Sequence, residues 1–272
     1  MDVSVRAEQA GQRADDSPWM DRGVRVGLVS YGVLHLIIAW LALRLAFGHS
    51  SGKASSQGAL QQLAQNGLGR ASLYVVGLGF VSLVVWQGLE AIWGHQDAEG
   101  GKRVVKRLTS VAKVILYGSL AASAFKTAGG SSSGGSGTDG MTARLMRMPG
   151  GPLLVGAVGV GVLVVAGLLG YRGWTKKFRS KLDVDGRTGK DGRAYILVGT
   201  AGYLSKAVAL AIVGVLFLLA AFSHNPGKSG GLDVALRKVL QEPFGSPLLV
   251  LMAIGLACYG VFCFAWARHL DR

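Results

Sequence analysis

Most apolar positions in this chain do not fall in short alternating runs. They come in six long blocks, at about 26–47, 71–93, 108–125, 152–171, 195–222 and 247–267, separated by polar stretches. A helix needs roughly 20 apolar residues to cross the ~30 Å hydrocarbon layer of a bilayer, and each block is long enough to span. A spanning segment must pair its backbone groups internally, which makes each block a helix. The pattern predicts an all-α integral membrane protein with six transmembrane helices.

The blocks also pair. A glycine in the connection after each odd block recurs at Gly58, Gly140 and Gly231, at intervals of 82 and 91 residues. A glycine late in each even block recurs at Gly88, Gly167 and Gly260, at intervals of 79 and 93. Each unit is an apolar helix, a Gly/Ser-rich loop, a short amphipathic stretch and a second apolar helix. Two spans return the chain to the side it left, so the units form three parallel two-helix repeats rather than inverted ones. A pseudo-threefold bundle is the simplest closed arrangement of three such copies, and a row of hairpins is the alternative. The expected organisation is a polar N-terminal tail at 1–22, membrane repeats at 23–97, 98–178 and 194–272, and a basic linker at 179–193; the turn-rich connection around it, roughly 172–193, reads as solvated and in touch with lipid headgroups. The amphipathic stretches carry Leu60 and Leu63, Met141, Leu145 and Met148, and Leu232, Leu236 and Val239 at helical spacing. They suit either helices lying on the membrane surface or a packed cap over the bundle.

Only 16% of the 272 residues are charged, against about 25% in a soluble domain. The net charge of +14 is distributed by side. The tails and even-numbered connections hold more than twice as many Lys and Arg as the odd-numbered ones, including Lys102, Arg103, Lys106, Arg107, Lys176, Lys177, Arg179 and Lys181. Such an excess marks the cytoplasmic side and puts both termini there. The basic balance thus encodes topology and attraction to anionic lipid headgroups, not nucleic-acid binding. The polar N-terminus lacks a signal-peptide pattern, so the first span reads as an uncleaved anchor. Cys258 and Cys263, five residues apart in one span, point to neither a disulfide nor a metal site. Gly186-Arg-Thr-Gly-Lys190 has the wrong spacing for a phosphate loop, with Asp191 where Ser or Thr would bind magnesium.

Four features recur between about Gly23 and His269: Lys113 and Lys206 early in odd spans, the Pro-Leu-Leu openings at Pro152 and Pro247, the late glycines, and Trp93, Trp174 and Trp266 after them. In these the chain resembles the bacterial domain-of-unknown-function family numbered 1206, whose members carry three such units. The resemblance implies an integral membrane protein of an actinobacterium-like envelope and supplies no reaction. The first repeat departs from the pattern, with Tyr31 at the lysine position and Arg70-Ala-Ser in place of the proline opening.

Lys113, Lys206 and Tyr31 each lie 18 residues before the outer loop positions Ser131, His224 and His49, which gives them a common depth. Ionisable groups inside a membrane are costly and often functional. Facing one axis, two ammonium groups and a phenol would suit a carboxylate or phosphate headgroup. The competing reading is that the lysines snorkel to the near headgroups. His35, mid-span, reads as a hydrogen-bonded packing residue, and His49, His95, His224 and His269 as capping groups at the interfaces rather than metal ligands. Span glycines such as Gly77, Gly79, Gly156, Gly159, Gly161, Gly167 and Gly170 read as sites of close helix contact. One Glu (Glu90) and one His in different spans are a poor inventory for acid–base or metal chemistry, so no enzyme and no cofactor is expected. The expected role is a scaffold or accessory subunit of a cell-envelope assembly with a protein partner. The alternative is a binder or carrier of an anionic lipid or small solute using Lys113 and Lys206.

Overall fold

The computed structural model describes residues 18–49, 52–92, 101–130 and 138–270. The expected N-terminal tail up to 17, the second outer loop at 131–137, and Trp93 and His95 lie outside the described residues. Each of the six apolar blocks forms a helix long and apolar enough to cross a membrane. These are α1 (Pro18–Ala46), α3 (Gly67–Ile92), α4 (Gly101–Ala128), α6 (Gly151–Trp174), α8 (Gly189–Phe222) and α10 (Gly245–Arg268). Between them stand α2 (Ser56–Leu63), α5 (Thr138–Met146), α7 (Val184–Arg187) and α9 (Leu232–Gln241). Several long helices run past their apolar block into basic sequence, as α4 does before Leu108. Lys and Arg are good helix formers, and no proline or cap stops the helix there.

The odd-numbered spans end alike. After α1, Gly48 adopts a left-handed conformation (φ 79°), its N–H reaches Leu45 C=O, and His49 N–H reaches Arg44 C=O. After α8, His224 (φ 50°) bonds to Ala221 and Asn225 to Ala220 in the same manner. Both are Schellman caps, which pair the last carbonyls of a helix and turn the chain sharply away. After α4, Gly130 (φ 79°) bonds to Thr127 in the corresponding way. His49 and His224 enter these caps through their backbone N–H groups, not their imidazoles.

Two compact units divide the chain: Met1–Tyr31 with Leu63–Ser131, and Gly32–Gln62 with Ser132–Arg272. They cut across the sequence repeats, since α4 belongs to the first and α6 to the second.

In the first unit α3 packs antiparallel on α4, with Gly77 beside the Phe125 ring and Arg107 donating to Ile92 C=O (3.1 Å). The start of α1 packs on α3 through Gly23 and Gly27, where a Cβ would meet Ser82 and the Gly79 carbonyl at 2.7 and 2.5 Å. Small residues four apart let backbones approach, and packing drives helix association in lipid.

In the second unit α8 lies between α6 and α10 and antiparallel to both. Gly159 approaches Gly214, Gly173 approaches Tyr203, Gly202 approaches Tyr259, and Gly255 approaches Ser205. The rest of α1 runs along α10 with Gly32 against Gly260. Not every expected glycine does this work. A Cβ at Gly88, Gly161 or Gly167 would meet nothing within 4 Å among the described residues.

The first and third amphipathic stretches pack inward. Leu60 and Leu236 are fully buried, and Leu236 joins a core with Leu41, Leu45, Leu249 and Met252. The backbone N–H of Ala54 donates to Asp233 Oδ1 (2.8 Å), while Arg237 pairs with Asp233 Oδ2 (3.0 Å). A packed cap, not a helix floating on a surface, is the outcome for these two. The second, α5, touches a neighbouring core through Leu145 and Met146.

The connection from α6 to α8 is largely exposed, as its composition suggests, but it is also anchored. Lys177–Lys181 forms a 3-10 helix. With three residues per turn, Phe178 and Lys181 share one face, and that face turns inward. Phe178 stacks on Tyr203 (5.0 Å) and meets Phe262 edge-on (5.1 Å). The Lys181 ammonium sits 3.8 Å over Trp266 and donates to Tyr203 OH (3.0 Å). Leu182 forms an antiparallel bridge with Leu270 and is fully buried. Two apolar anchors in a basic run decide the matter, since each fully buried side chain is worth about 1.5–3 kcal/mol.

Candidate functional site

Three helices of the second unit converge on Lys206. Gly202 on α8 lets Tyr259 of α10 lie against its backbone, and Gly32 on α1 meets Gly260 of α10. The close approach brings Lys206, His35 and Tyr259 together near the middle of α8. Lys206 Nζ lies 3.3 Å from His35 Nε2 and 4.0 Å from the Tyr259 ring centroid. The contact joins the Lys206 amino group to a ring nitrogen of His35, and the tautomer of the ring sets which of the two donates. The His35 and Tyr259 rings are 4.8 Å apart. Cys263, a buried free thiol, follows one turn after Tyr259 on α10. Lys206 thus turns inward rather than along its helix toward the headgroups.

Tyr31 and Lys113 belong to the first unit and Lys206 to the second. Tyr31 is buried in an aromatic cluster, edge-on to Phe80 (6.4 Å) and to Tyr117 (5.6 Å). Lys113 is partly buried on α4. The two described contacts share one rule. Tyr117 stands four residues after Lys113, and His35 four residues after Tyr31. In each unit, the side chain at the lysine position of one repeat meets the side chain one turn further along the odd helix of another. Sequence reading placed His35 as a packing residue but missed its partner. The signal was available, because His35 and Tyr117 occupy matching places.

A second polar cluster fixes the α6–α8 connection. Asp183 caps α7 by accepting from Gly186 N–H (2.7 Å), contacts His269 Nδ1 (3.0 Å), and its own N–H donates to His269 C=O (2.9 Å). The Gly186 hydrogen bond, above all, holds the Asp183 carboxyl below its usual range; burial opposes it, and the His269 hydrogen bond and the nearby His269 and Arg187 charges add smaller lowering effects. Arg187 reaches back to the carbonyls of Leu182 and Ser180. Gly186, the first residue of the phosphate-loop-like run, spends its N–H on Asp183. No group of three or more His, Cys, Asp or Glu side chains able to hold a metal occurs among the described residues.

The family model described as Domain of Unknown Function (DUF1206) matches three successive segments, 26–94, 108–176 and 201–269. The chain is also similar to "Uncharacterized protein YxxB" of Bacillus subtilis (strain 168), at 28% identity over 257 residues, 92% of this chain and 91% of the relative. No solved structure matches.

Proposed function

The chain belongs to the DUF1206 family, and from that premise we propose that it is a six-span inner-membrane protein, with both termini cytoplasmic, acting as a non-enzymatic scaffold or accessory subunit of a cell-envelope assembly. One observation carries the scaffold reading. At the positions where the repeats put polar groups inside helices, Tyr31 and Lys206 are built into contacts between helices. An interior committed to its own packing supports a body that presents surfaces to partners. The excess of Lys and Arg in the even-numbered connections supports the orientation.

Extraction of the full chain in native-membrane discs tests the role. The reading expects a second protein in fixed ratio, and repeated recovery of the chain alone contradicts it. One competitor is a carrier of an anionic lipid or solute using Lys113 and Lys206. An anionic molecule retained by wild type and lost from folded Lys113→Ala and Lys206→Ala variants would move the assignment there.

A further inference from the structure

We propose that the turn leaving α6 is a docking surface for anionic phospholipid headgroups, built from Trp174, Lys176, Lys177 and Arg179. The proposal rests on the membrane reading above and deepens it by naming a lipid class and a site. Of the six long helices, α6 has the least buried apolar window, at 17%. Val160, Val164, Leu168 and Tyr171 are exposed along it. That face needs hydrocarbon, and it ends at Trp174, which is 80% exposed. Tryptophan at the end of an apolar helix belongs at headgroup level.

The chain then turns through Lys176 in a left-handed conformation (φ 55°) and enters the 3-10 helix. Phe178 and Lys181 take the inward face, which leaves Lys176, Lys177 and Arg179 outward and exposed. Lys177 is held at the rim, its Nζ donating to Tyr171 OH (2.9 Å) and lying 4.7 Å from that ring centroid. Among the described residues none of these three cations is in an ion pair, and the nearest acid in sequence, Asp183, is engaged with Gly186 and His269. The result is three exposed positive charges, one of them held at the rim, where an oil-requiring face stops. A phosphodiester with an acyl chain satisfies both halves at once. An acidic soluble partner would satisfy only the basic half.

The test reconstitutes the full chain in mixed phosphatidylglycerol and phosphatidylcholine vesicles containing spin-labelled forms of each lipid. Wild type should immobilise phosphatidylglycerol in preference to phosphatidylcholine. Lys176→Ala/Lys177→Ala/Arg179→Ala should lose about threefold or more of that preference, given the attraction of each basic side chain to an anionic surface. Its immobilised phosphatidylcholine should be unchanged, which reports that it remains inserted. Lys228→Ala/Lys238→Ala, at exposed positions beyond the other end of α8, should keep the preference. An equal preference in the triple variant and wild type, or none in wild type, overturns the proposal. Absence of any immobilised lipid overturns the membrane reading as well, so the two failures are distinguishable.

Discussion

At the scale of single residues, glycine does two different things in this chain. At Gly202 an added Cβ would stand 2.5 Å from Tyr259 Cα, backbone that cannot swing away. At Gly161 it would meet nothing among the described residues. Gly202→Ala should therefore destabilise by about 1–3 kcal/mol, the usual range for overpacking. Gly161→Ala should be neutral or gain up to about 1 kcal/mol of helix propensity. Unfolding of the detergent-solubilised variants measures both, and equal stability would contradict the assigned contacts. The same distinction explains what sequence could see. Glycine-rich spans announce close packing, but a single glycine does not announce which face it lies on. Gly88 and Gly167 share the repeat position of Gly260, yet only Gly260 meets another backbone.

At the scale of elements, the six long helices were readable because length and hydropathy define them with no tertiary information. The connection between α6 and α8 was not. Its basic composition hid Phe178 and Leu182, whose partners Tyr203, Phe262 and Leu270 are distant in sequence. Asp183 ties this connection to α7 and to the end of α10. A carboxyl held below its ordinary value contributes stability above its unfolded pKa of about 3.9, and that contribution is lost as pH falls through the folded value. Docking should therefore persist through neutral pH and loosen only in acid. Asp183→Ala should loosen it at neutral pH, speeding tryptic cleavage at Lys176, Lys177 and Arg179 in the purified protein by several-fold. Unaltered cleavage would show that the aromatic anchors alone suffice. The capping stretches were half legible. Their helical spacing was plain, but the choice between cap and surface helix turned on the contact of Asp233 with Ala54, 179 residues away.

At the scale of the whole molecule, the repeat recognised from glycine spacing is the repeat matched by the family, and the helix ends after α1 and α8 repeat it in atomic detail. The two compact units do not follow the repeats, because odd helices of different repeats contact one another, as Tyr31 does Tyr117 and Lys206 does His35. The matching places of His35 and Tyr117 in the sequence mark both as partners at one depth, but spacing along a helix does not say which neighbour each meets. The central claim is that the chain crosses a membrane six times with its basic connections inside. Single cysteines at Ser180 and Lys228, both exposed, in a Cys258→Ala/Cys263→Ala background, test it directly. An impermeant thiol reagent applied to intact cells should label Lys228→Cys at once and Ser180→Cys only after permeabilisation. Labelling of Ser180→Cys in intact cells, with Lys228→Cys protected, would contradict the account.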